Sequence, residues 1–170
     1  MNILIYDSTE NTNVGRSWRI GAWLFSRWFD DVIAATSWED VVEKIPEGWT
    51  ELQFWGHGTP ANAYIGHKKD NNAIWKKILD KSDFSPQIWL RVCSFAHGDA
   101  GKKAMLDIVS MSDDGEIAAF THDIGHWGLQ SGLVKLRAGE KTKWSSQEGG
   151  PGVTSGFGKP RTISALRMTV

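Results

Sequence analysis

Two periods alternate along this sequence, and the alternation leaves few folds open to it. Asn2-Ile3-Leu4-Ile5-Tyr6 is an apolar run of strand length, closed by Asp7-Ser8-Thr9. From Gly15 to Phe29 the residues Trp18, Ile20, Trp23, Leu24, Phe25 and Trp28 recur near helical spacing, which predicts a helix with one buried face. Asp31 to Ala35 reads as a second strand. Ser37 is a suitable N-cap for the next helix, with Asp40 a shorter stand-in for the Glu of a capping box. Pro46 and Gly48 end that helix.

The pattern repeats. A third strand, Glu51 to Trp55, runs into Gly56-His57-Gly58-Thr59-Pro60. Ala63 to Gly66 fits a short strand of a small hairpin. Asn72 to Lys81 is helical, with Ile74, Trp75, Ile78 and Leu79 on one side. A fourth strand, Gln87 to Val92, ends at Cys93-Ser94. A helix over Asp99 to Val109 presents Met105, Leu106 and Val109. Glu116 to Phe120 is a fifth strand, Leu133 to Arg137 a sixth, and Thr162 to Val170 a last edge strand. Strands alternating with helices imply right-handed crossovers. The expected fold is therefore an α/β three-layer sandwich: a mostly parallel sheet of about six strands with helices on both faces. The 170 residues fit one domain, with no repeat or linker to divide them. The Gly-, Ser- and Pro-rich stretch from Glu148 to Lys159 is expected to be a mobile loop.

Composition narrows the function classes. Hydrophobic residues are 41% and charged residues 23%, with a formal net charge of -1. That balance suits a soluble globular chain and gives no basic excess for nucleic acid. No apolar run approaches the roughly 20 residues that span a bilayer, so no membrane partner is expected. Met1 to Asp7 lacks the basic region and long apolar stretch of a signal peptide. The single cysteine cannot form an internal disulfide, which agrees with a reducing compartment. A cytoplasmic protein is the expectation. Ten tryptophans are scattered along the chain, at 18, 23, 28, 38, 49, 55, 75, 89, 127 and 144. They read first as core fillers, and second as the lining of an aromatic groove.

In an open parallel sheet, ligands sit outside the carboxyl ends of the strands. Two such ends carry reactive groups here: Gly56-His57-Gly58 after the third strand and Cys93-Ser94 after the fourth. A thiolate attacks in covalent acyl transfer and needs a base or positive neighbour, which a His on the adjacent strand can supply. The glycines let a substrate backbone come close, and their amides, with that of Cys93, can hold an oxyanion. The helix near Asp99 points its positive end toward the same edge. His97 is an alternative base, four residues after Cys93. His122 and His126 have a spacing seen in some metal sites. Gly125 argues against a helix there and one Cys cannot complete a zinc set, so a loop at the site mouth and no metal are expected. Ser94, His97, Asp99, His122 and Asp123 are candidates for a substrate pocket. No phosphate loop, nucleophile elbow or dinucleotide fingerprint is present, so nucleotide binding is not expected. Taken alone, a strand-end Cys is commonly a small buried hydrophobe, and a His beside glycines can simply cap a turn.

The order strand–His-Gly, helix, strand–Cys resembles the caspase-like cysteine peptidases of clan CD. That superfamily includes caspases, gingipains, separases, self-cleaving domains of bacterial toxins and CHAT domains. Leu52-Gln53-Phe54-Trp55-Gly56-His57-Gly58 looks like their histidine strand, and Trp89-Leu90-Arg91-Val92-Cys93-Ser94 like their cysteine strand. Ile117 to Trp144 resembles the next part of bacterial members, where a strand leads through a loop to a hairpin and a tryptophan. The resemblance covers residues 1–144 and suggests a compact bacterial or phage-type member. It implies Cys93 as nucleophile, His57 as general base and then acid, and the Gly58 and Cys93 amides as oxyanion hole. The departures are the missing Gln-Ala-Cys-x-Gly signature and a short His-to-Cys spacing.

The expected function is a cysteine endopeptidase acting on a protein or peptide by a Cys-His dyad, with no cofactor. Activation by a partner, by a homodimer or by neither stays open. The alternative is a caspase-like fold without catalysis that serves as a protein-binding or regulatory module.

Overall fold

A computed structural model describes residues 1–123 and 133–139, and the backbone of 129–130 and 153–154. The chain begins with β1 (Asn2–Asp7), α1 (Asn13–Phe25) with a 3₁₀ turn at Ser26–Trp28, β2 (Asp31–Ala35), α2 (Trp38–Lys44) and β3 (Trp49–Trp55). A small sheet of β4 (His57–Thr59), β5 (Asn62–Ile65) and β6 (Lys68–Lys69) comes next. Then come α3 (Asn72–Leu79), β7 (Ser82–Arg91), α4 (Gly98–Val109), β8 (Glu116–Phe120), β9 (Leu129–Gln130), β10 (Leu133–Arg137) and β11 (Val153–Thr154).

The central sheet has six strands in the order β10-β8-β7-β3-β1-β2. All pairings are parallel except the edge pair β10–β8. Side chains alternate across it. Ile3, Ile5, Leu52, Phe54, Ile88, Leu90 and Ile117 enter the main core, with residues of α2, α3 and α4. Leu4 and Trp55 face the other way and pack with Ala22 of α1 and with Phe29. Helices therefore cover both faces, as the alternating periods predicted. Among the described residues no helix is long and apolar enough to cross a membrane.

Local chemistry fixes the elements. Ser37 caps α2 by accepting from the Asp40 amide at 3.0 Å. The Asp40 carboxylate reaches back to the Thr36 amide (3.0 Å), one residue before the amide that a full capping box would use. Asn71 caps α3 through the Ile74 amide at 2.9 Å. The helical signal over Gly15 to Phe29 resolves into α1 and the 3₁₀ turn. β7 begins at Ser82, earlier than the sequence indicated. Its register with β3 jumps between Trp49 and Glu51, and this irregularity absorbs Asp83 to Pro86, where proline offers no N–H.

Five tryptophans, at 38, 49, 55, 75 and 89, are buried. A buried indole needs a partner for its N–H. Trp49 Nε1 donates to the Ile78 carbonyl (3.1 Å), Trp38 Nε1 to the Lys68 carbonyl (3.2 Å) and Trp75 Nε1 to Asp70 (2.6 Å). The core-filler reading holds for these. Trp23 is 76% exposed, and Trp127 and Trp144 lie outside the described residues. So do His126, the Glu148–Lys159 stretch apart from the backbone of Val153–Thr154, and the Thr162–Val170 strand.

Candidate active site

β3 and β7 are neighbours, so the segments that leave their carboxyl ends emerge side by side. The chain turns at Gly56 and enters β4, which pairs antiparallel with β5. Two buried carboxylates hold this small sheet in place. Asp7, at the end of β1, accepts from the Gly66 amide (2.9 Å) and from the Thr9 amide and hydroxyl (2.8 and 2.7 Å). Asp70 accepts from the Ala63 amide (2.9 Å) and the Trp75 indole. Burial pushes the Asp70 carboxyl up from its ordinary value, with the indole hydrogen bond opposing.

This pairing also aims Gly58. Ala63 spends its amide and carbonyl on Asp70. Gly58, directly opposite, is therefore a non-hydrogen-bonded partner whose N–H and C=O point away from β5. The cysteine segment lies on the face that a Gly58 side chain would occupy. A β-carbon on Gly58 would come within 2.6 Å of the Cys93 carbonyl oxygen and 2.7 Å of Val92 Cβ. Only glycine fits there.

The cysteine segment is stitched on two sides. The Ala61 amide, at a positive φ of 65° in the β4–β5 turn, donates to the Phe95 carbonyl (3.0 Å). The Ser94 and Ala96 amides donate to the carbonyls of His122 (3.0 Å) and Phe120 (2.9 Å). Phe95 and Ala96 are fully buried, which anchors the loop and leaves Cys93 and Ser94 half-buried above it. Ser94 has φ 51°, a left-handed conformation, and its hydroxyl donates to Asp123 at 2.5 Å. Beneath the edge, the Arg91 guanidinium lies over the Trp55 and Trp89 rings at 4.7 and 5.1 Å. Burial lowers its pKa to about 10, so it stays charged at neutral pH.

An open pocket of about 550 Å³ results, lined by Gly58, Thr59, Pro60, Cys93, Ser94, His97, Thr121, His122 and Asp123. It gathers most of the residues singled out in the sequence. Asp99 is not among them: it is exposed in the first turn of α4, outside the lining. His97 Nδ1 donates to the Thr121 carbonyl at 3.0 Å, which fixes its tautomer. His122 Nδ1 meets the Thr121 hydroxyl at 2.8 Å. Among the described residues no group of His, Cys, Asp and Glu is placed to hold a metal ion.

His57 stands at the rim, exposed, outside the pocket lining. Its Nε2 lies 3.1 Å from Glu10 Oε2, and its ring meets the Trp18 indole near perpendicular at 4.9 Å between centroids. The Thr12 amide, then the Thr12 hydroxyl and His57, lowers the Glu10 pKa, so the carboxylate is ionised. A carboxylate only accepts, so Nε2 carries the proton and Nδ1 keeps the lone pair in the neutral ring. Sequence reasoning missed Glu10 and Trp18. The available signal was position: Glu10 comes after β1, whose carboxyl end adjoins that of β3.

No protein-family model matches the chain, and no curated protein does. Among solved structures it is similar to a secreted C11 cysteine protease from Bacteroides thetaiotaomicron, determined in complex with an irreversible peptide inhibitor. The TM-score is 0.45 and the identity 10%, over 74% of this chain and 49% of that one. The chain thus spans about half the length of that protease.

Proposed function

We propose that this chain is a cysteine endopeptidase that cleaves a protein or peptide through a thioester on Cys93. One observation carries the reading: Gly58, the residue after His57, packs directly against the Cys93 backbone, at the ends of adjacent strands. His57 Nδ1 accepts the thiol proton as Cys93 Sγ attacks the scissile carbonyl. The Gly58 and Cys93 amides hold the oxygen as it gains charge. The imidazolium returns its proton to the leaving amine, and a thioester remains. Water, deprotonated by the same Nδ1, then releases the acid and restores the thiol. Glu10 keeps the proton on Nε2 and stabilises the transient imidazolium. Every group in this cycle belongs to the chain, so no metal or organic cofactor is required. A thiol that must stay reduced suits the cytoplasm.

Two other readings have observations of their own. His97 lines the same pocket as Cys93 and keeps its lone pair on Nε2, so it is a rival base. A binding module without catalysis would use exposed apolar side chains such as Trp23 and Ile20 of α1.

The deciding experiment is digestion of a mixed peptide library, with products read by mass spectrometry. The wild type should cleave, while Cys93→Ala and His57→Ala should not, and His97→Ala should retain activity. Loss with His97→Ala and retention with His57→Ala would move the base to His97. Cleavage products absent from the wild-type digest would favour the binding module.

A further inference from the structure

The Glu10–His57 pair sits on α1, and four contacts join them. The Thr12 amide, at the N-cap of α1, donates to Glu10 Oε1 at 3.0 Å, while Oε2 takes His57. Arg19 Nη2 donates to the Glu10 carbonyl at 2.8 Å and to Asn11 Oδ1 at 3.3 Å. Gly15 packs so tightly that a β-carbon there would lie 2.1 Å from the same carbonyl. Trp18, rooted in the core beneath α1, presents its indole to the His57 ring.

We infer that Trp18 and Arg19 are positioning residues that hold the His57 imidazole in one orientation and one tautomer. The inference rests on the reading of His57 as the base. An exposed histidine at the start of a strand otherwise turns about its side-chain torsions. Trp18 occupies the space on one side of the ring. Arg19 fixes the backbone from which Glu10 reaches Nε2. Together they keep Nδ1 turned away from Glu10, available to the thiol.

The test uses the full chain and two readouts. Long-range proton–nitrogen spectra of the imidazoles report tautomers, with His57→Asn identifying the His57 signals among the five histidines. The wild type should show the Nε2–H form alone. Trp18→Leu and Arg19→Met should show both tautomers. On a cleaved peptide the same variants should lose about tenfold in kcat with KM little changed, since misplacing a catalytic group by about 1 Å costs up to a hundredfold. Trp18→Phe and Arg19→Lys should recover most of the loss and guard against a folding defect, which urea unfolding would detect. A His57 tautomer unchanged in Trp18→Leu and Arg19→Met overturns the inference, whatever kcat does. The base assignment fails separately, if His57→Ala cleaves like the wild type.

Discussion

Gly58 lies against Cys93 so closely that the carbonyl oxygen of Cys93 occupies the place of a Gly58 side chain. This contact joins the histidine and cysteine segments. Its other side is the β-branched Val92, itself buried, so neither neighbour can yield. Gly58→Ala should therefore push β4 away from β7. We expect about 1–3 kcal/mol of lost stability in urea unfolding and loss of peptide hydrolysis. A stable, active Gly58→Ala would contradict the packing.

Glu10→Gln keeps the size and removes the charge. Because the amide side chain can also donate, the tautomer of His57 is no longer fixed. Hydrolysis should fall by about 10–100-fold, as measured by kcat/KM at neutral pH. The Glu10 pKa is lowered in the fold, so its contribution to stability is present above the ordinary 4.5 and is lost as pH falls below it. The stability difference between wild type and Glu10→Gln should shrink on acidification, as measured by urea unfolding across pH.

Asp70 acts at a distance from the pocket. Asp70→Ala leaves the Ala63 amide and Trp75 indole as buried donors without their acceptor, at a cost of about 2–5 kcal/mol. The carboxyl pKa is raised by burial, so the folded state holds its proton more tightly than the unfolded chain. The sign is opposite to that of Glu10. The wild type should lose stability relative to Asp70→Asn as pH rises above 3.8. An unchanging difference between the two across that range would refute the burial argument.

Ser94 combines a left-handed backbone with the bond to Asp123. Ser94→Ala loses the bond and keeps the strain, whereas Ser94→Gly loses the bond and relieves the strain. The alanine variant should be less stable than the glycine variant by about 1 kcal/mol, read from urea midpoints at equal slope.

The sheet was legible because its strands are apolar runs and its helices carry caps that announce themselves. Ser37, Pro46 and the run Ile74, Trp75, Ile78, Leu79 each did in space what their spacing foretold. Strand order brought the segments that follow β3 and β7 to one edge of the sheet without any view of side chains. Glu10, Trp18 and the Ala61–Phe95 bond were not legible, because each joins segments far apart in sequence through geometry that no local period encodes. Asp99 was drawn toward the pocket by its place after Cys93, yet the turn through Phe95 and Ala96 carries it past the lining. The early start of β7 was hidden by Pro86, which reads as a breaker but is absorbed by the irregular pairing.

In the proposed cycle His57 activates Cys93. The measurement that reaches it most directly is the rate of iodoacetamide labelling at neutral pH, in the wild type and in His57→Ala. The chain has one cysteine, so the signal has one source. The native wild type should label rapidly and His57→Ala clearly more slowly, because only the thiolate attacks. Equal rates in the two proteins, or labelling that begins only after denaturation, would contradict it.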